Sequence, residues 1–257
     1  MQVIRVKNYN EMSEKAADML AAQVKSKSDS VLGLATGGTP EGTYKAFVQK
    51  ALQENLSLSE LTTFNLDEYV GLSPQHPKSY HLYMKNHLFQ PLALQPSQTN
   101  LPRGNAPHLE KEAERYERMI KEVGGIDLQL LGIGENGHIG FNEPGTSFTS
   151  RTHIEKLNPT TREANARYFE NKEDVPEHAI TMGISSILDS RSILLLASGE
   201  RKKEAVKRLL EDENTREDFP ASSLKNHPYV TIIADEHALA VVSKTDEPSE
   251  KDEAKPL

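Results

Sequence analysis

The sequence predicts an α/β fold built on a mainly parallel sheet with helices on both faces. Short apolar runs of strand length recur along the chain, amphipathic helical stretches alternate with them, and two runs end in glycine-rich loops, TGGTP and GENGHIG. Alternating βα units of this kind lie parallel and are buried on both faces.

Met12, Ala16, Leu20 and Val24 recur at helical spacing, and Ser30–Ala35 (SVLGLA) forms a short apolar run into TGGTP. Tyr44–Leu52 resumes a helical pattern, and Leu61–Leu66 (LTTFNL) reads as a second strand that stops at Asp67 and Glu68. Pro107–Val123 is a charged amphipathic helix, and Ile126–Ile133 a strand that glycines bring to an end. Ile193–Ala197, Arg201–Leu210 and Val230–Ala234 complete the alternation as strand, helix and strand. No repeat of fixed period and no long linker interrupts it, so one domain is expected over residues 1–244. The final thirteen residues, TDEPSEKDEAKPL, carry five acidic and two basic side chains and no aromatic, the composition of a disordered acidic tail over 245–257.

With 36% hydrophobic residues in 257, the chain can bury a sizeable core. A net charge of −8 argues against a general nucleic-acid or anionic-membrane binder. The absence of cysteine excludes disulfides, thiolate catalysis and Cys-ligated zinc. With neither a secretion signal nor a membrane span in the sequence, a soluble cytoplasmic protein is expected.

Three segments draw attention as sites. TGGTP (Thr36–Pro40) lies between a strand and a helix, where exposed N–H groups and the helix dipole favour an anion, although an ordinary strand-to-helix turn reads the same way. It is not a P-loop, because GxxxxGK[ST] is missing. Arg167 and Lys202 are isolated cations able to complete an anion site, or merely solvated. Asp67 and Glu68 are adjacent at a strand end, so only one faces a pocket, and a carboxylate there is either a general base or a cap. Asn136, His138 and Glu143 follow a strand whose glycines let backbone approach a ligand; the alternative is a glycine-rich turn with a solvated histidine. No HExxH occurs and the histidines lack ligand spacing, so no metal is expected, and without GxSxG a serine nucleophile has no elbow.

Taken together and in this order, TGGTP, TFNLDEYVGL, GENGHIGFNEPG, ANARYF and GERK resemble the glucosamine-6-phosphate deaminase family over nearly the whole chain to about Lys244. The resemblance implies a doubly wound α/β sheet with a helical lid, formed by the segment after Gly145 or by helices near Lys156–Phe169. It implies conversion of glucosamine 6-phosphate and water to fructose 6-phosphate and ammonia, a hydrolase or isomerase activity on an amino sugar phosphate, without metal or organic cofactor. Asp67 is implied as the base that moves a proton between C2 and C1, and His138 as the group that opens the ring. Glu143 is implied as the support of His138. The family often has Asp where this chain has Asn136, which leaves Asn136 a positioning role. Gly37, Gly38, Thr39, Arg167 and Lys202 are implied as phosphate contacts. The 6-phosphogluconolactonases are similar in the glycine-rich loop and the GH portion, so a lactonase is the alternative reading, and a non-catalytic sugar-phosphate sensor a more distant one. Family members activated by N-acetylglucosamine 6-phosphate carry basic residues in the segment that here reads SRTHIEK. His153 and Glu155 at those positions imply an unregulated monomer or small homo-oligomer.

Overall fold

A computed structural model of the chain describes residues 1–239; the expected acidic tail, 245–257, lies outside the described residues. The chain opens with strand β1 (Gln2–Val6), helix α1 (Tyr9–Ser26), β2 (Val31–Leu34), α2 (Gly38–Gln53) and β3 (Thr62–Asn65). It continues through β4 (Asp67–Tyr69), α3 (Tyr80–Met84), β5 (Thr99–Asn100), α4 (Leu109–Glu122) and β6 (Leu128–Gly132). Next come β7 (His153–Lys156), α5 (Pro159–Ala166), β8 (His178–Thr181), α6 (Ile184–Leu188) and β9 (Ser192–Ala197). Helix α7 (Lys203–Glu211), β10 (Val230–Asp235) and α8 (Glu236–Leu239) follow.

Seven strands form one sheet in the order β1-β10-β9-β6-β2-β3-β5, with every neighbouring pair parallel. Period-two alternation sends each strand's side chains into two cores. On β9, Leu194 and Leu196 join the core under α1 and α2, whereas Ile193, Leu195 and Ala197 join the opposite core with Tyr116 of α4 and Val206 and Leu209 of α7. Burial on both faces explains why these strands read as unbroken apolar runs. Met12, Ala16, Leu20 and Val24 are all buried along α1, whose first turn is capped where the Asn8 side chain accepts from the Glu11 N–H at 3.1 Å.

Sequence and structure differ in several short elements, and three differences are instructive. Strand β1 was not expected, because it is an edge strand of which only Val6 is buried. A second, three-stranded antiparallel sheet, β4-β8-β7, was also not expected. Its strands are three or four residues long, and β4 opens on Asp67 and Glu68, the charged pair at which the apolar run of β3 stops. Finally, α2 begins inside TGGTP, at Gly38, well before the apolar periodicity sets in at Tyr44.

The sheet requires glycine at position 33. Gly33 of β2 lies opposite Gln129 of β6, and a Cβ on Gly33 would stand 2.0 Å from Gln129 Oε1. Gln129 is fully buried and donates to the Leu130 carbonyl at 2.9 Å, so it has no room to retreat. Gly33→Ala is expected to lower unfolding free energy by about 1–3 kcal/mol. In chemical denaturation, Gly33→Ala combined with Gln129→Ala should be more stable than the sum of the two single changes allows, because the space left by Gln129→Ala admits the methyl that Gly33→Ala adds.

Candidate active site

Strand order reverses between β2 and β6: the chain runs outward from β2 to β3 and β5, then returns to β6 and proceeds the other way to β9 and β10. In open parallel sheets a ligand crevice forms at the carboxyl ends of the strands flanking such a reversal. Here a cavity of about 320 Å³ opens there, lined by Ala35 after β2, Asp67 after β3, Gly132 at the end of β6 and Lys202 beyond β9. Gly37, Gly38, Thr39, His138 and Arg167 line it too. The structure thus collects seven of the nine sequence-derived candidates on one wall system. Asn136 borders an adjoining cleft, and Glu143 sits behind His138.

The adjacent carboxylates separate as strand alternation requires. Glu68 turns inward and accepts from the N–H groups of Tyr69 (2.9 Å), Tyr80 (3.0 Å) and His81 (3.1 Å) and pairs with His81 Nδ1 (2.8 Å), so it is the cap. Asp67 faces the cavity, is 6% exposed, and accepts no hydrogen bond among the described residues. Burial, with a smaller contribution from the Glu68 charge, pushes its pKa up to about 8. The group therefore rests protonated near neutrality and is poised to exchange that proton.

His138 stands on the loop after β6. Two glycines shape that loop: a Cβ on Gly134 would lie 2.4 Å from the imidazole, and Gly137 has φ +85°, a conformation side chains disfavour. The buried ring nitrogen is Nδ1, 3.9 Å from Glu143 Oε2, which leaves Nε2 for the cavity. Desolvation dominates and lowers the His138 pKa to about 4, with Glu143 opposing and Lys202 reinforcing the shift. The imidazole is therefore neutral at physiological pH. The expected support of His138 by Glu143 is a charge facing the ring at a distance beyond a hydrogen bond. Asn136 makes the linkage: its amide donates to Glu143 Oε2 at 2.9 Å, and its oxygen accepts from the His138 backbone N–H at 3.2 Å. It holds the loop and the carboxylate, not the imidazole itself. The Asn158 N–H at the start of α5 donates to Glu143 Oε1 at 3.2 Å, tying the same carboxylate to the covering helix.

Gly38 is the first residue of α2, so its N–H has no partner within the helix. It donates instead to the Tyr168 hydroxyl at 3.2 Å, and Arg167 Nη2 donates to the same oxygen at 2.9 Å. A phenol oxygen thus stands between two groups that sequence reasoning assigned to an anion. Burial lowers the pKa of Lys202, opposed by Glu135 and reinforced by Arg167 and Arg201. The Asp235 carboxylate at the end of β10 fixes the turn before Lys202, accepting from Ser198 Oγ (2.5 Å) and the Gly199 N–H (3.1 Å). Of the two segments expected as a lid, only the second covers the cavity, where Asn165, Arg167, Tyr168 and Phe169 line it at the end of α5. The stretch after Gly145 is instead held away from it: the Phe148 N–H donates to Glu217, and the N–H and hydroxyl of Thr152 donate to Glu117.

The remaining walls are aromatic and were not found from the sequence. Tyr69, Tyr80, Phe141 and Phe169 pack together with ring centroids 4.9–6.1 Å apart. They come from four separate segments, so no spacing announces them. Among the described residues there is no cluster of three or more His, Asp or Glu placed to hold a metal ion, and no helix long and apolar enough to cross a membrane.

Comparison with known proteins sets this geometry in context. The family model described as glucosamine-6-phosphate isomerases/6-phosphogluconolactonase matches residues 6–232. The chain is 56% identical over 242 residues to a glucosamine-6-phosphate deaminase of Geobacillus sp. (strain WCH70), covering 94% of this chain and 96% of that one. It is 54% identical over 241 residues to glucosamine-6-phosphate deaminase 1 of Bacillus subtilis (strain 168), covering 94% and 99%. A solved structure of a monomeric glucosamine-6-phosphate deaminase superposes with a TM-score of 0.92 at 54% identity, over 94% of this chain and all of that one. The 6-phosphogluconolactonase from Trypanosoma cruzi shares the fold, with a TM-score of 0.77 at 18% identity over 95% of this chain and 97% of that one. At such identity along nearly its whole length, the chain belongs to the glucosamine-6-phosphate isomerase/6-phosphogluconolactonase family.

Proposed function

We propose that the protein is a cytoplasmic glucosamine-6-phosphate deaminase that isomerises the opened aldose to a ketose and releases ammonia, giving fructose 6-phosphate. The observation that carries the reading is the meeting of a buried, unpaired carboxyl, a neutral imidazole and an anion site in one cavity. His138 takes the anomeric hydroxyl proton through Nε2 and returns one to the ring oxygen. Asp67, as carboxylate, removes the C2 proton while the aldehyde oxygen takes a proton from the substrate ammonium, and Asp67 then delivers its proton to C1 as the nitrogen forms a double bond to C2. The resulting C2 imine adds water and expels ammonia, so water enters only at this last stage. The phosphate lies on the Gly37–Thr39 turn with Arg167 and Lys202. Lactone hydrolysis has no step that needs a base at Asp67, which favours the deaminase over the lactonase.

Asp67→Asn is expected to abolish ammonia release and solvent deuterium exchange at C1 and C2 while leaving phosphate-dependent binding within about tenfold. In the wild type, the ascending limb of kcat/KM should lie near pH 8, where the free enzyme gains the Asp67 carboxylate, and not in the ordinary carboxylate range. Stability carries the same signature. Between pH 3.8 and about 8 the unfolded chain has released the proton that folded Asp67 retains, so wild-type stability falls as pH rises through this window. The melting temperature of Asp67→Asn relative to wild type should therefore climb over that interval and be flat below it.

Arg167→Ala and Lys202→Ala each remove a charged donor to the phosphate, worth roughly 1.5–3 kcal/mol, so KM should rise by about tenfold or more. An unchanged KM in both variants would refute the phosphate site.

Regulation follows from a second ion pair. His153 Nε2 lies 3.0 Å from Glu155 Oε2, and Glu155 also accepts from Thr146 Oγ1 at 3.3 Å. The carboxylate satisfies the imidazole and turns an anion away, so an effector phosphate finds no net positive seat there. Initial rates are expected to be hyperbolic in substrate and unchanged by N-acetylglucosamine 6-phosphate, with the protein monomeric in light scattering, as its 54%-identical structural neighbour is described. Sigmoidal rates that the effector straightens would overturn this.

A further inference from the structure

The turn between β2 and α2 contains two adjacent glycines, the residues with the most backbone freedom to lose when an anion binds. Tyrosine hydroxyls from other elements remove that freedom. Tyr83, just before the end of α3, donates to the Gly37 carbonyl at 2.7 Å. Tyr9, the first residue of α1, donates to the Gly38 carbonyl at 2.9 Å and accepts from the Gly42 N–H at 2.7 Å. It thereby bridges the two groups that the first turn of α2 pairs. Position 42 has to be glycine for this: a Cβ there would stand 2.4 Å from Ser13 Oγ, 2.9 Å from Tyr9 Cε1 and 3.0 Å from the Tyr9 hydroxyl.

With both carbonyls held, Gly37 by Tyr83 of the cavity wall and Gly38 by Tyr9, the peptide planes are fixed and their N–H groups point away from these hydroxyls. The Gly38 N–H does so, reaching the Tyr168 oxygen in the cavity. Neither Tyr9 nor Tyr83 is among the residues that the site chemistry called for, and Tyr9 is 29 residues away in sequence from the carbonyl it holds.

We propose that Tyr9 and Tyr83 are positioning residues of the phosphate seat, aiming the N–H groups at the start of α2 before the anion arrives, and that Gly42 is present to admit Tyr9. The proposal rests on the deaminase reading, which makes the anion the substrate's phosphate. Preorganisation of this kind raises affinity by removing an ordering cost from the binding step.

Tyr9→Phe and Tyr83→Phe each delete one hydroxyl and keep the ring packing. The measurement is competitive inhibition of deamination by inorganic phosphate, alongside KM and kcat for glucosamine 6-phosphate across pH. Each variant should raise both the phosphate Ki and the KM by about threefold to tenfold, the worth of one net hydrogen bond, with kcat and its pH profile retained. Gly42→Ala displaces Tyr9 without removing its hydroxyl and should give the same shift. Hydroxyls with a merely structural role would lower the melting temperature and leave Ki and KM unchanged, and that result would overturn the inference. If the wild-type enzyme deaminates but phosphate does not compete, the phosphate assignment of the cavity fails and the inference fails with it. Competition that Arg167→Ala weakens and the tyrosine variants do not defeats the inference alone.

Discussion

The cavity depends on how the Glu68 carboxylate is satisfied. It accepts four hydrogen bonds, from the backbone of Tyr69, Tyr80 and His81 and from the His81 ring, at 2.8–3.1 Å. A buried carboxylate with that many donors has one viable orientation, since losing them leaves both the charge and the N–H groups unpaired. Because neighbouring side chains on a strand point to opposite faces, fixing Glu68 also fixes Asp67 toward the cavity. The same bonds anchor the start of α3, and with it Tyr80 and Tyr83 in the cavity wall, the latter bonded to the glycine turn. One residue therefore sets the relation between the acid–base group and the anion site.

Electrostatically, the two residues proposed for acid–base work are neutral at rest. Asp67 and His138 both have pKa values moved by desolvation toward the uncharged form, up to about 8 and down to about 4. Arg167 and Lys202 are basic side chains beside them, and burial lowers the pKa of Lys202. A substrate that brings both an amine and a phosphate complements this distribution: the phosphate meets the cations, and a nearby ammonium favours ionisation of Asp67. Binding itself can thus shift the base toward the form that reacts.

Much of this was legible in the sequence because it rests on patterns that are local and repeated. Parallel strands buried on both faces leave apolar runs, and alternation with helices then implies the sheet and the end at which a ligand sits. The division of labour between Asp67 and Glu68 followed from strand geometry, although which of the two would face the cavity did not. The edge strand β1 and the β4-β8-β7 sheet were illegible because they are short and only partly apolar. The supporting contacts were illegible for another reason. Asp235 acts through the Ser198–Gly199 turn, and Tyr9 through a carbonyl distant in sequence. Neither has a characteristic spacing, because the partners are brought together only by the tertiary fold.

The Tyr168 hydroxyl gives the site a further property. It accepts from the Gly38 N–H and Arg167 while its side chain remains 38% exposed, so it can withdraw into water without leaving a buried phenol unpaired. Entry of a ligand is then an exchange of acceptors, in which one oxygen leaves as another arrives. A neutral sugar hydroxyl offers Arg167 nothing stronger than the phenol it would replace, whereas a phosphate offers a charged acceptor. On the proposed assignment of these groups to a phosphate, the tyrosine is an internal reference ligand against which a phosphorylated and a free sugar are compared.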